Sequence, residues 1–132
     1  MAFALGPLGQ IALSTADIDK AEDFFGAKLG LRKLFRFGTM SFFDCAGVRL
    51  LVEQTADGKA PEAGSPLYFR VADIALARKA LEARGVNFID EPHLIAPMED
   101  HDLWMTFCRD DDGHMIALMC EAPKGYQPKA AG

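Results

Sequence analysis

The stretch from Pro92 to Met105 concentrates side chains able to do chemistry. His93, Glu99, Asp100, His101 and Asp102 could ligate a metal or move protons, and the only tryptophan, Trp104, follows them. Three uses of the segment stand open. His93 and His101 with Asp100 or Glu99 would make a non-standard metal site, although their eight-residue spacing fits no helical pair. A lid would bring His101 and Trp104 against a ligand. A proline-braced loop between Pro92 and Pro97 would hydrogen-bond its histidines locally and send Trp104 into the core or a dimer interface.

Other constellations are weaker. Ser14, Ser41 and Ser65 show no nucleophile-elbow context, so no Ser/His/Asp triad can be built. Asp110-Asp111-Asp112 before Gly113 reads as a solvated hairpin turn, with His114 in a structural role. The three cysteines, Cys45, Cys108 and Cys120, are widely spaced and form no CxxC pair, which fits reduced thiols in a cytoplasmic protein. A net charge of −5 with scattered lysines and arginines argues against nucleic acid and anionic membrane as partners. No apolar run approaches the roughly 20 residues of a spanning helix. Met1 to Gly9 lacks the regions of a signal peptide, so none is expected.

The elements that must position these residues come in duplicate. Ala16-Asp17-Ile18, Ala21 and Leu29-Gly30 recur as Ala72-Asp73-Ile74, Ala77 and Arg84-Gly85, with the aspartates 56 residues apart. Asp17 and Asp73 are N-caps, and Gly30 and Gly85 are helix stops. Ile18, Ala21, Phe25 and Leu29 mark one buried helix face, and Ile74, Ala77 and Leu81 the other. Strands are expected at Gly9–Thr15, Arg32–Phe37, Thr39–Cys45 and Val48–Glu53. In the second half they fall at Leu67–Val71, near Val86–Ile89, at Asp102–Arg109 and at His114–Cys120, with a long loop through Pro92 and Pro97. The 132 residues thus form a single domain. Module one spans about 8–54, a linker 55–65, module two 66–121, and a loose tail 122–132. The class is α+β: duplicated βαβββ modules forming a curved mixed sheet around a cleft.

Alternation assigns the faces. Ile11, Leu13, Val48, Leu50 and Val52 should lie under the first helix, and Leu67, Phe69 and Val71 under the second. Gln10, Ser14, Arg49, Leu51, Glu53, Tyr68, Arg70, Met115, Ala117 and Met119 then look the other way, onto a mixed polar and apolar surface suited to a ligand. Glu53 would serve as a general base if buried, which makes Glu53 and His101 the catalytic candidates.

The doubled pattern, Asp17-Ile18-Asp19-Lys20-Ala21-Glu22-Asp23-Phe24-Phe25 before Leu29-Gly30-Leu31, and the turn Arg109-Asp110-Asp111-Asp112-Gly113-His114 together resemble the vicinal oxygen chelate superfamily over residues 8 to 121. That is the group of glyoxalase I, bleomycin resistance proteins and extradiol dioxygenases. Asp111 stands where the family's turn has proline. The resemblance implies four metal-ligand positions, mapping to Gln10, Pro66, Leu51 (or Leu50) and Ala117. Only Gln10 has a side chain that can coordinate, so no metal and no other cofactor is expected. The expected function is metal-independent binding of a small organic molecule at Gln10, Arg49, Leu51, Glu53, Tyr68, Arg70, His101, Trp104, Met115 and Ala117. Tyr68, Arg70 and Arg49 favour an anionic or carboxylate-bearing ligand. The alternatives are a glyoxalase-type lyase or isomerase with a non-standard site, and a drug-sequestering resistance protein. A homodimer is expected as well.

Overall fold

The computed structural model describes residues 3–62 and 64–128. It divides into two compact units at residues 62 and 63, one module each. In the first, β1 (Gln10–Thr15) leads into α1 (Ile18–Glu22), which continues as a π-helical stretch, Asp23–Lys28. β2 (Arg32–Phe37), β3 (Met40–Cys45) and β4 (Val48–Gln54) follow. The sheet order is β1-β4-β3-β2, with β1 parallel to β4 and the other pairs antiparallel. The second module repeats this with β5 (Leu67–Arg70), α2 (Ile74–Ala83), β6 (His93–Pro97), β7 (Asp102–Arg109) and β8 (Met115–Ala122), in the order β5-β8-β7-β6.

The two helix starts are equivalent. Asp17 (φ −144°, ψ 106°) and Asp73 (φ −137°, ψ 107°) both cap with extended backbone. The Asp17 carboxylate accepts from the backbone N–H groups of Asp19 and Lys20, and that of Asp73 from Leu76. The hydrogen bond from Leu76, followed by the one from the Tyr126 hydroxyl, holds the Asp73 carboxyl below its usual range. Gly85, at φ 93°, turns α2 off in the left-handed region while the Val86 N–H reaches back to the Leu81 carbonyl.

The first helix departs from regular α spacing for a packing reason. From Asp23 its turns widen, with the Leu29 N–H donating to the Phe24 carbonyl. Wider turns place adjacent Phe24 and Phe25 both in the core, edge to face at 5.2 Å, and Phe25 meets Phe43 at 6.1 Å. Gly26 lies against the Phe43 ring, where an added Cβ would sit 3.4 Å from it. Leu13, Leu50 and Val52 complete this core. β2 is an exposed edge strand, tied to the helix through Arg36–Asp19 (2.8 Å) and Lys33–Glu22 (3.0 Å).

Two expectations for the second module are corrected. Val86–Ile89 is not a strand: Phe88 makes a single bridge to Cys108, and the outer strand is His93–Pro97, inside the expected loop. The reason is Asp90. Its carboxylate accepts from the Phe107 N–H (2.9 Å) and the Thr106 hydroxyl (2.8 Å), taking the place of a ladder carbonyl. Pro92 then adds a residue without an N–H, and pairing resumes at His93↔Met105. Contacts continue past the end of β8. Ala122 closes β8, Lys124 binds Asp102 at 2.9 Å, and the Tyr126 hydroxyl donates to Asp73 at 3.0 Å. Residues 129–132 lie outside the described residues.

Truncating the core side chains tests the helix faces. Phe25 is 1 % exposed and Leu81 9 %. Phe25→Ala and Leu81→Ala should each cost about 2–5 kcal/mol, measured by urea unfolding. Unchanged midpoints for both would show the faces misassigned.

Candidate functional site

A helix covers one face of each sheet and leaves the other open, and ladder register shows which residues share that open face. In the first module Gln10 pairs with Arg49, Ala12 with Leu51 and Ser14 with Glu53. Phe42, beside Leu51, stacks on Phe35 at 4.3 Å. Gln10, Arg49 and Glu53 are exposed, and Leu51 is half-buried. Exposure removes the condition on which Glu53 would become a general base.

In the second module Tyr68, Ala117 and Phe107 form one row across three strands. Flanking strands lie about 9–10 Å apart across the central one, yet the Tyr68 and Phe107 rings meet edge to face at 6.2 Å. Ala117 sits in the strand between them and is 0 % exposed, its methyl being small enough to pass beneath. Met119 and Met105 lie in the next row with His93, and Met115 lies on the other side of Ala117. The His93 ring faces Phe107 at 6.1 Å with an interplanar angle of 28°. Arg70 is partnered by Glu121 at 3.2 Å.

His93 is held by the bracket that ends the preceding loop. Arg78, on α2 and buried, donates to the Asp90 carbonyl at 3.0 Å, pairs with Glu82 at 2.7 Å and lies over the Phe88 ring. Asp90 is thus fixed from the helix through its carbonyl and from β7 through its carboxylate.

The histidine pair does not come together. His93 opens β6, whereas His101 lies in the turn before β7, at the other end of the hairpin. Four residues of strand separate those ends by about 13 Å, which rules out a shared metal. His101 hydrogen-bonds Asp100 at 2.7 Å, and that bond holds the Asp100 carboxyl low. Trp104 pairs in register with Cys120 on the helix side, is buried, and contacts Tyr126 at 6.1 Å. It therefore lies on the face opposite Tyr68 and Phe107. Cys108 is no nucleophile, since burial pushes its thiol up to about 11.

Asp110, Asp112 and His114 bring possible ligand atoms within 4.8 Å of one another. The Asp110 Oδ1, however, already accepts from the N–H groups of Asp112 (3.0 Å) and His114 (2.7 Å), which closes the turn. Phe42, Met105, Phe107 and His93 are among the open-face residues that the sequence analysis did not assign. Alternation along Asp102–Arg109 is the signal that would have found Phe107; His93 needed the bulge to be known.

A family model for the Glyoxalase/Bleomycin resistance protein/Dioxygenase superfamily matches residues 8–118. Among solved structures, an integron cassette protein from the V. cholerae mobile metagenome aligns with a TM-score of 0.73 at 19% identity, covering 92% of this chain and 100% of that one. A glyoxalase/bleomycin resistance protein/dioxygenase from Alicyclobacillus acidocaldarius gives 0.70 at 18% identity, with 86% and 90% covered. One from Nocardioides gives 0.71 at 19%, with 99% and 93% covered. Identities this low establish the fold alone. No curated protein matches the sequence.

Burial raises the Asp110 carboxyl above its usual value despite the N–H groups it accepts from. A raised carboxyl costs the folded state stability once pH exceeds the unfolded value. Asp110→Asn keeps the accepting oxygen and removes the charge. It should therefore unfold at an equal or higher temperature than the parent at pH 7, with the difference vanishing below the ordinary aspartate range. A lower midpoint at pH 7 would show that the turn needs the carboxylate.

Proposed function

Because the chain belongs to the glyoxalase/bleomycin resistance protein/dioxygenase superfamily, we propose that it is a metal-independent member binding a small organic molecule on an open sheet face. One observation carries the proposal: the side chains at the four positions where metallo-members take their ligands. Gln10 offers a carbonyl oxygen, whereas Leu51, Pro66 and Ala117 offer no donor. A catalytic divalent ion requires about three protein ligands, so this donor set does not fit one. At Ala117 the position is also roofed by Tyr68 and Phe107, which occupy the space a ligating side chain would use. On the open face of the first module Gln10, Ser14, Arg49 and Glu53 lie with Leu51, and on that of the second Tyr68, Arg70, His93 and Glu121 lie with Met115 and Met119. Such a surface binds by shape, apolar contact and a few hydrogen bonds.

The proposal extends to a cytoplasmic homodimer. Three free cysteines fit a reducing compartment, and no helix among the described residues is long and apolar enough to cross a membrane. Exposed Phe35 and Phe37 on edge strand β2, with Phe3, Leu5 and Leu8 ahead of β1, are apolar surface that a second copy would cover. Light scattering should give about twice the 14.4 kDa chain mass; a monomer at tens of micromolar would refute the dimer.

Thermal unfolding tests the binding mode. Zinc, nickel or manganese should leave the midpoint unchanged in both the parent and Gln10→Ala, while members of a broad small-molecule panel raise it. A ligand at a hundred times its Kd adds about 2.7 kcal/mol. Micromolar binding of any of these ions that Gln10→Ala abolishes would overturn metal independence. A panel without a single stabiliser would overturn the binding role.

A further inference from the structure

His93 differs from the other open-face residues because its two ring nitrogens are already distinguished. Nδ1 lies 2.9 Å from the Glu91 carbonyl oxygen, and a carbonyl only accepts, so Nδ1 carries the hydrogen. The Asp90 carboxylate, 3.9 Å away, is too far to compete for it. In the neutral ring Nε2 is then an acceptor. The imidazole is exposed, lies against Phe107 at 6.1 Å, and continues through Phe107 to Tyr68, itself 49 % exposed.

These rings and their neighbours define a ligand. Flat π surfaces beside Met105 and Met119 favour a flat aromatic partner, by stacking and by sulfur–ring contact. The Arg70–Glu121 pair cancels the charge in this part of the face, which favours a neutral molecule over an ion. An Nε2 acceptor calls for a donor on the ligand. We infer that the open face of the second module binds a neutral, flat aromatic molecule bearing a hydroxyl or N–H group, its ring against Tyr68 and Phe107 and its donor on Nε2 of His93. The inference rests on the open-face binding role and narrows it to a chemical class.

The test uses two probes that differ in a single hydrogen-bond donor, 2-naphthol and 2-methoxynaphthalene, titrated into ¹⁵N-labelled protein. Both should shift the amides of Tyr68, Phe107 and Ala117. 2-Naphthol should bind roughly fivefold to tenfold tighter. His93→Phe keeps a ring against Phe107 but has no acceptor; it should erase that preference and leave the 2-methoxynaphthalene affinity unchanged. Equal affinities in the parent protein would overturn the hydrogen bond whether or not the variant folds, as would a preference that survives His93→Phe. Shifts confined to other parts of the chain, or no binding of either probe, would overturn the aromatic site. The binding role itself would still stand or fall by the thermal panel.

Discussion

In each module the last strand lies parallel to the first, and the remainder of the module follows from that pairing. Parallel neighbours cannot be joined by a tight turn, so the chain must leave the sheet and cross over. The helix capped by Asp17 or Asp73 is that crossover's first leg, and it fixes which face becomes core. The register β1–β4 sets Leu13 beside Val52 under the helix and leaves Ala12 beside Leu51 on the open face. A slip of one residue would exchange the two sets and bury Arg49 and Glu53. The cost of burying those charges protects the register as effectively as the gain from burying Leu50 and Val52.

Within this shared frame the two open faces differ by an exchange of volume. The central row is Ala12, Leu51 and Phe42 in the first module, and Tyr68, Ala117 and Phe107 in the second. Phenylalanine stays on the third strand. The first strand carries a small residue where the middle carries a large one, and the reverse holds in the duplicate. With the middle position large, Phe42 turns to its other neighbour and stacks on Phe35. With the middle position small, Phe107 and Tyr68 close over it. One substitution pair, acting through close packing, thus converts an aliphatic centre into an aromatic one.

Most of the frame was legible because it rests on local signals: capping aspartates, glycine stops and period-two strands. The duplication, the fold class and the strands Arg32–Phe37 and Asp102–Arg109 follow from these. What escaped depends on contacts remote in sequence. The π-helical turns arise because Phe24 and Phe25 both find the core, which no local propensity encodes. The outer strand of the second module was displaced because the Asp90 carboxylate substitutes for a backbone carbonyl sixteen and seventeen residues away, on Thr106 and Phe107. For Trp104 the sequence left a ligand contact and a core position both open. Its pairing with Cys120 on the helix side and its burial place it in the core.

The same frame explains how the side chains at the four proposed ligand positions can change while the fold stays. Gln10, Leu51 and Ala117 sit on strands whose register is protected by the core beneath, and Pro66 lies just ahead of β5, so side chains at these positions can change without threatening the fold. Once Leu51, Pro66 and Ala117 occupy them, apolar contact and a small number of directional groups remain. Direction then has to come from side chains whose donors and acceptors are already assigned. In the second module a chain of contacts supplies it: Arg78 fixes the Asp90 carbonyl, Asp90 fixes the edge of β7, and the Glu91 carbonyl orients the His93 ring. A preorganised acceptor loses little freedom when a ligand docks. In the proposed binding role, specificity on this face would therefore rest less on any one charged residue than on the buried Arg78 that holds the loop beside it.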